Sequence, residues 1–308
     1  MSEQMVVVAG ESLVDVVLDH DGDSTETPGG SPLNVAVGLA RLDVPATLIT
    51  QVGDDERAGV VVGHVTASGA EIVAAPTSSG RTSVATAHLD ATGAARYEFE
   101  LDWSLPRQEL PICRALHVGS LGTLLEPGRE SVRDLVEQAC ERELFVSFDA
   151  NLRETFVDDR AEVWRQVREL GARCTLVKLS DEDAELLDPS QAPDDVARTL
   201  LEGERTDLVL LTRGPDGATA YCAGGEFSVA PRTTHVVDTV GAGDAFMAGT
   251  LAQLHDLGVL TPGTQELPAD EASLTRLLAG AVEIAAITCE RRGANPPRRS
   301  ELPTGWPG

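Results

Sequence analysis

The sequence predicts an α/β protein built on a mainly parallel central sheet. Two observations carry this prediction. Apolar runs of buried-strand length recur at 5–9, 47–52, 115–118, 144–148, 175–179 and 207–211, with helical stretches between them. Runs that are apolar on both faces suit strands covered on both sides. Polar and glycine-rich clusters follow the strand ends: Gly53-Asp54, Gly119-Ser120, Asp149-Ala150-Asn151-Leu152-Arg153, Ser180-Asp181-Glu182-Asp183 and Thr212-Arg213-Gly214. In open α/β sheets ligands bind at that edge, so the clusters together describe one long polar cleft.

Taken in order, Met5-Val6-Val7-Val8-Ala9 reads as a buried strand and Val14-Asp15-Val16-Val17-Leu18 as a second, followed by a polar turn over 19–24. Thr27-Pro28-Gly29-Gly30-Ser31-Pro32 reads as a tight loop, with Ser31 as N-cap and Pro32 at the start of a helix through Val35, Leu39 and Leu42. A strand over 47–52, the turn Gly53-Asp54-Asp55 and a helix towards Ser68-Gly69 come next. The segment 82–101 breaks the alternation and reads as a β-hairpin turning at 91–94. Its Thr and Tyr content and few large aliphatics predict a solvent-facing sheet. The βα rhythm then resumes. Val132, Leu135, Val136, Ala139 and Cys140 mark an amphipathic helix, and the chain closes with a helix over 277–288 and a Pro/Arg-rich tail.

The 308 residues show no compositional break, which predicts a single domain over 1–308. The formal net charge of −26 disfavours nucleic acid as a partner. Lys178 is the only lysine. Five cysteines lie far apart without a C-x-x-C, as expected for reduced thiols in a cytoplasmic protein. The six histidines form no ligand spacing, so no zinc site is expected. The N-terminus lacks the basic region of a signal peptide, and no apolar run reads as a membrane span.

The most informative stretch is Asp238-Thr239-Val240-Gly241-Ala242-Gly243-Asp244-Ala245-Phe246. A small-residue turn opens a helix carrying Met247, Leu251, Leu254 and Gly258 on one face. The unpaired N–H groups of such a turn, with the helix dipole, favour an anion. Asp244 places a carboxylate in the same first turn. An anion hole beside a fixed base suits phosphoryl transfer to an alcohol. Other nucleotide and hydrolase signatures are missing from the sequence: no G-x-x-x-x-G-K-[ST], no G-x-G-x-x-G after the first strand, no protein-kinase set and no G-x-S-x-G.

Gly29-Gly30-Ser31-Pro32-Leu33-Asn34-Val35-Ala36 and Asp238-Thr239-Val240-Gly241-Ala242-Gly243-Asp244, about two hundred residues apart, resemble the paired motifs of the ribokinase-like (PfkB-type) carbohydrate kinases, and most nearly the bacterial fructokinases. Gly10-Glu11 with Asp15, Gly53-Asp54-Asp55, Asp149–Arg153 and Thr212-Arg213-Gly214-Pro215-Asp216-Gly217 extend the resemblance over nearly the whole chain. It implies a three-layer α/β/α sandwich with a small β-sheet lid, here from about 14–31 and 82–103. It implies Asp244 as general base, Gly241, Ala242 and Gly243 as the anion hole, and Arg153 reaching a phosphate. Asp15, Gly29, Gly30 and Asn34 match sugar-binding positions, and Ser180, Thr212, Gly214, Gly241 and Gly243 nucleotide-binding ones. Asp183 is matched to a water-mediated Mg²⁺ contact, with Ser180 and Asp183 standing where the family's N-x-x-E element has Asn and Glu. Asp238, Val240, Thr288 and Gly293 are matched to a monovalent cation site. The expected reaction is ATP-dependent phosphorylation of a free sugar's primary hydroxyl, first of all D-fructose to fructose 6-phosphate, with Mg²⁺ on ATP and K⁺ as an activator. A 2-keto-3-deoxygluconate kinase, a ribokinase or another sugar kinase is the alternative, as is a catalytically silent sugar or nucleotide sensor. Phe99, Asp102 and Trp103 are the lid residues expected near the distal sugar hydroxyls. An exposed lid edge with few lysines, covered by a partner in related kinases, predicts a homodimer.

Overall fold

The computed structural model describes residues 5–18, 24–89, 95–260 and 267–306. The N-terminal four residues, most of the turn expected at 19–24 and the hairpin tip at 91–94 lie outside these ranges.

A nine-stranded sheet forms the centre. Its strands are β1 (Val6–Ala9), β4 (Ala46–Val52), β5 (Glu71–Pro76), β8 (Ala115–Gly119), β9 (Phe145–Asp149), β10 (Leu176–Ser180), β11 (Leu208–Thr212), β12 (Ala218–Cys222) and β13 (Gly225–Val229). They are ordered β13-β12-β11-β10-β9-β8-β1-β4-β5. All neighbours from β5 to β11 run parallel, and β12 and β13 close one side as an antiparallel hairpin. Alternate residues of each strand enter opposite cores. Val6 and Val8 join the layer of α1 (Ser31–Arg41), α2 (Glu56–Ser68), α7 (Ala242–Asp256) and α8 (Glu271–Cys289). Val7 and Ala9 join the layer of α3 (Gly128–Glu141), α4 (Arg160–Gly171), α5 (Asp181–Leu187) and α6 (Pro193–Leu201). That is the three-layer sandwich the resemblance implied.

A second, four-stranded sheet has the order β3-β2-β6-β7, from β2 (Leu13–Leu18), β3 (Ser24–Gly29), β6 (Val84–Leu89) and β7 (Ala95–Glu100). The segment read from sequence as a loop over 27–32 is therefore strand as far as Gly29. Its Thr, Glu and Pro residues are mostly exposed, so no apolar alternation marked it. The expectation that the hairpin 82–101 faces solvent holds for β7, where Arg96, Glu98 and Glu100 are exposed, but not for β6, where Val84, Ala85 and Ala87 are buried. Val14, Val16 and Val84 are buried in the core beneath α1 and α2. The opposite face, carrying Asp15, Ala85 and Phe99 in register, is turned the other way.

Helix ends follow local chemistry. Asp55, Asp159, Ser180 and Asp270 cap their helices by accepting backbone N–H groups, and Gly69 ends α2 in the left-handed region. Helix α7 stops at Asp256, so Gly258, read as part of its apolar face, lies beyond the helix. Helix α8, 19 residues long, is apolar enough by composition to cross a membrane, contrary to the sequence reading. In the fold Leu274, Leu278, Ala281 and Ile284 sit in the core with α7.

Candidate active site

The carboxyl ends of the parallel strands and the amino end of α7 meet in one place. Gly241 immediately precedes α7 with φ of 75°, and a Cβ on it would lie 2.5 Å from the Cβ of Ala294. Only glycine fits this turn. Helix α7 then begins at Ala242, and its first N–H groups have no partner within the helix.

Asp244 sits in that first turn, 5% exposed. Its Oδ1 accepts from the Ser31 hydroxyl at 2.6 Å and from Asn151 Nδ2 at 3.0 Å. Its Oδ2 accepts from Asn34 Nδ2 at 2.8 Å. The sequence reading gave Ser31 the role of helix cap. Gly30 occupies the cap position instead, Ser31 is the first residue of α1, and its hydroxyl serves Asp244. Pro32 helps fix that helix start. Asn151 is the site residue that sequence reasoning missed. Its φ of 35° lies in the left-handed region that asparagine tolerates, and the strand-end segment 149–153 was the available signal. The side-chain oxygen of Asn34, Oδ1, is buried and unpartnered.

Asp15 enters from β2. A Cβ on Gly29 would lie 2.1 Å from Asp15 Oδ2, so the glycine makes room for this carboxylate. Burial raises the pKa of Asp15 to about 6; Arg153 draws it down and Asp244 pushes it up. Arg153 donates to Asn151 Oδ1 at 2.6 Å and to the Leu152 carbonyl. Glu11, also buried, accepts the Gly122 N–H at 2.7 Å. Burial pushes its pKa up to about 7 against those backbone bonds and the field of Arg153.

Ser180 and Thr212 are register partners at the ends of β10 and β11, and Gly214 follows with φ of 45° and open space around its Cβ position. Asp183 is tied to the backbone: Oδ1 accepts the Leu152 N–H at 2.7 Å, and Oδ2 accepts the Ser180 N–H at 2.8 Å. It forms a reciprocal cap with Ser180, so a water-mediated Mg²⁺ contact has only its remaining lone pairs to use. Beside it, buried Asp149 holds the ammonium of Lys178 at 3.0 and 3.1 Å.

Asp238 ties the 238–241 loop to the segment after α8. Its oxygens accept the N–H groups of Val240 at 3.0 Å and Gly293 at 2.8 Å. Thr288 is buried at the end of α8, its hydroxyl donating to the Ile284 carbonyl.

Of the lid residues expected near the sugar, two are engaged elsewhere. Trp103 is buried and donates its indole N–H to the Gly122 carbonyl at 3.1 Å. Asp102 accepts from Ser78, the Ser79 N–H and Ser104. Phe99 differs. It lies across β6 from Asp15, and its ring meets Phe156 edge-on at 5.1 Å. The two rings border a groove of about 300 Å³ with Leu101, Trp103, Leu125 and Glu126.

The sequence matches the pfkB family carbohydrate kinase pattern over residues 3–301. The chain belongs to that family. The kinase is 30% identical over 307 residues to the fructokinase of Escherichia coli, covering 96% of this chain and 97% of that one. It is also 30% identical over 322 residues to fructokinase-2 of Solanum habrochaites, covering 98% and 96%. Among solved structures it is similar, with a TM-score of 0.79 and 25% identity, to a fructokinase double mutant from Vibrio cholerae O395 bound to fructose, ADP and potassium. That likeness covers 95% of this chain and 94% of the other. The kinase is thus a carbohydrate phosphotransferase on the ribokinase-like fold.

Proposed function

We propose that this kinase phosphorylates D-fructose on its primary hydroxyl, giving fructose 6-phosphate, with Asp244 as general base. The observation that carries the reading is the Asp244 carboxylate, held by three hydrogen bonds in the first turn of α7. Asp244 Oδ1 already accepts two hydrogen bonds, whereas Oδ2 accepts one. Oδ2 is therefore the oxygen placed to take the proton of the attacking hydroxyl. Asn34 Oδ1, buried without a partner, accepts a neighbouring sugar hydroxyl. Asp15 accepts another, and the packing of Gly29 against Asp15 brings the strand edge close to the ring.

The N–H groups of Gly241 and Gly243 receive the charge that develops on the transferred phosphoryl, whereas that of Ala242, expected to join them, already donates to the Thr239 carbonyl at 3.2 Å. Arg153, already held by Asn151, supplies a guanidinium to the same group. Ser180, Thr212 and Gly214, at adjoining strand ends, line the nucleotide side of the cleft. Mg²⁺ supplies charge neutralisation when bound with ATP. It suits this site as a metal carried by the nucleotide, because Asp183 is committed to backbone N–H groups and Asp149 to Lys178. The four-stranded sheet acts as the lid that keeps water from the phosphoryl group. Its outer strands β3 and β7 are the edges a second copy would cover, and light scattering of the pure protein tests the homodimer.

The choice of fructose follows the names of the relatives at about 30% identity. A coupled ADP assay over a panel of free sugars tests it. Sugar-dependent ATP consumption with fructose giving the highest kcat/KM is the expected result. A higher value for ribose or 2-keto-3-deoxygluconate would replace fructose, and ATP consumption with none of the sugars would replace the kinase by a sensor.

A further inference from the structure

The only lysine of the chain is placed where a lysine is least comfortable. Lys178 is 3% exposed, on β10, and its Nζ lies 3.0 and 3.1 Å from the two oxygens of Asp149, itself fully buried. The two residues are register partners on adjacent parallel strands, facing the α7 side of the sheet. A Cβ on Gly243 would stand 3.0 Å from this same Nζ. The ammonium therefore lies directly under the first turn of α7, the positive end of that helix dipole. Burial works against the charge there, but the carboxylates of Asp149, Asp183 and Asp244 outweigh it and hold the lysine's pKa above its ordinary value.

A buried ion pair is weak evidence of stabilisation, since well-packed apolar residues often replace one without loss. This pair also has a location that packing alone does not require. Asp149 opens the segment whose Asn151 holds Asp244 and whose Arg153 faces the cleft. Lys178 precedes by two residues the Ser180–Asp183 cap. Gly243 belongs to the turn whose N–H groups face the phosphoryl. One ion pair thus touches all three segments that carry the transfer chemistry. His117, on the same side of the sheet, is hydrogen-bonded to Ser147 at 2.9 Å. Burial first and Lys178 second depress its pKa to about 3, so it adds no second positive charge.

We propose that Lys178 and Asp149 are a positioning pair for phosphoryl transfer, fixing the first turn of α7 against the 149–153 segment with the cationic end of the pair turned towards the anion hole. The pair acts through the turn and does not itself touch the sugar. Charge that is fixed before reaction lowers the barrier without moving at the moment of transfer. The missing side chain of Gly243 is part of the same arrangement, because a methyl group would push against the ammonium.

This rests on the sugar-kinase reading above, and the experiment separates the two. Lys178→Met leaves the Asp149 carboxylate buried without a partner and is expected to lower both Tm and turnover. The decisive variant is Lys178→Met with Asp149→Asn, which removes both charges. It is expected to regain a Tm close to wild type while kcat stays about 10- to 100-fold down, with KM for sugar and ATP within about threefold. Recovery of kcat along with Tm would overturn the proposal and leave the pair a packing element. A rise in KM with kcat unchanged would also overturn it, since the pair would then serve ground-state binding. If the double variant does not regain its Tm, Lys178→Arg, which keeps the charge, is compared with Lys178→Met on refolded, active-site-titrated protein; equal turnover in the two overturns the proposal. A wild-type protein that consumes no ATP with any sugar would overturn the kinase reading itself, and the proposal with it.

Discussion

The hydroxyl of Ser31 lies 2.6 Å from Asp244 Oδ1, across 213 positions of sequence. This bond joins the amino ends of two helices, α1 and α7, so one helix start orients the carboxylate carried by the other. With Asn34 and Asn151 it leaves the Asp244 carboxylate little rotational freedom.

Removing the base tests the assignment most directly. Asp244→Asn is expected to keep the fold and ATP binding and to lower turnover by about 10²–10⁴, the usual worth of general-base catalysis. Steady-state kinetics with a melting curve measure both, and near-wild-type turnover would be fatal to the assignment.

The bond from Ser31 has its own signature. A hydrogen bond to a charged group is worth about 1.5–3 kcal/mol, part of which a water can replace. Ser31→Ala is therefore expected to lower kcat by about tenfold, with KM for ATP unchanged. The Asn151→Ala variant should lose more, because it also frees Arg153. A Ser31→Ala enzyme with wild-type kcat would show that the bond is dispensable.

Acidity gives the next prediction. In the folded chain Asp15 holds its proton up to about pH 6, against an ordinary value of 3.8. The ionised form is the stronger acceptor for the sugar hydroxyl proposed to bind it, so kcat/KM for sugar should fall as pH drops through about 6. Stability has the opposite sign. The folded chain binds this proton more tightly than the unfolded one, so stability is lost as pH rises from 3.8 to about 6. Asp15→Asn should remove that loss while raising KM for sugar. A pH profile flat between 5 and 7, read as about two units around the expected midpoint, would exclude Asp15 from sugar binding.

Cations are tested by substitution of the salt. Mg²⁺ should be required, and K⁺ should raise kcat if carbonyl groups of the loop that Asp238 clasps to Gly293 coordinate it. Equal rates in sodium and potassium buffers of the same ionic strength would remove the second half of this prediction. The variant Asp238→Asn should weaken any potassium effect, because it loosens the loop.

How much of this was legible in the sequence varies with the element. Strands such as β1 and β11 are continuous apolar runs, and α3 carries its apolar face in its spacing, so each could be read locally. The edge strand β5 is largely exposed, and its apolar run, Ile72-Val73-Ala74-Ala75, is only four residues long and made partly of alanine, too weak a signal to stand out. The hairpin β12–β13 follows a Gly-Pro-Asp-Gly turn and was absorbed into a motif. At the site, Asp244, Asp15 and Asn34 were legible because they belong to local motifs. The partnership of Asp149 with Lys178 was not, because register between parallel strands is set by tertiary packing and leaves no spacing in the chain.

The burial of Lys178 also makes the chain report on its own integrity. A protease that cuts only after lysine has a single target here, and that target lies in the middle of a nine-stranded sheet, 3% exposed. Fraying of the termini or opening of the small sheet leaves it out of reach. Cleavage into two fragments then counts only molecules whose central sheet has come apart, so one band on a gel measures global unfolding separately from local motion.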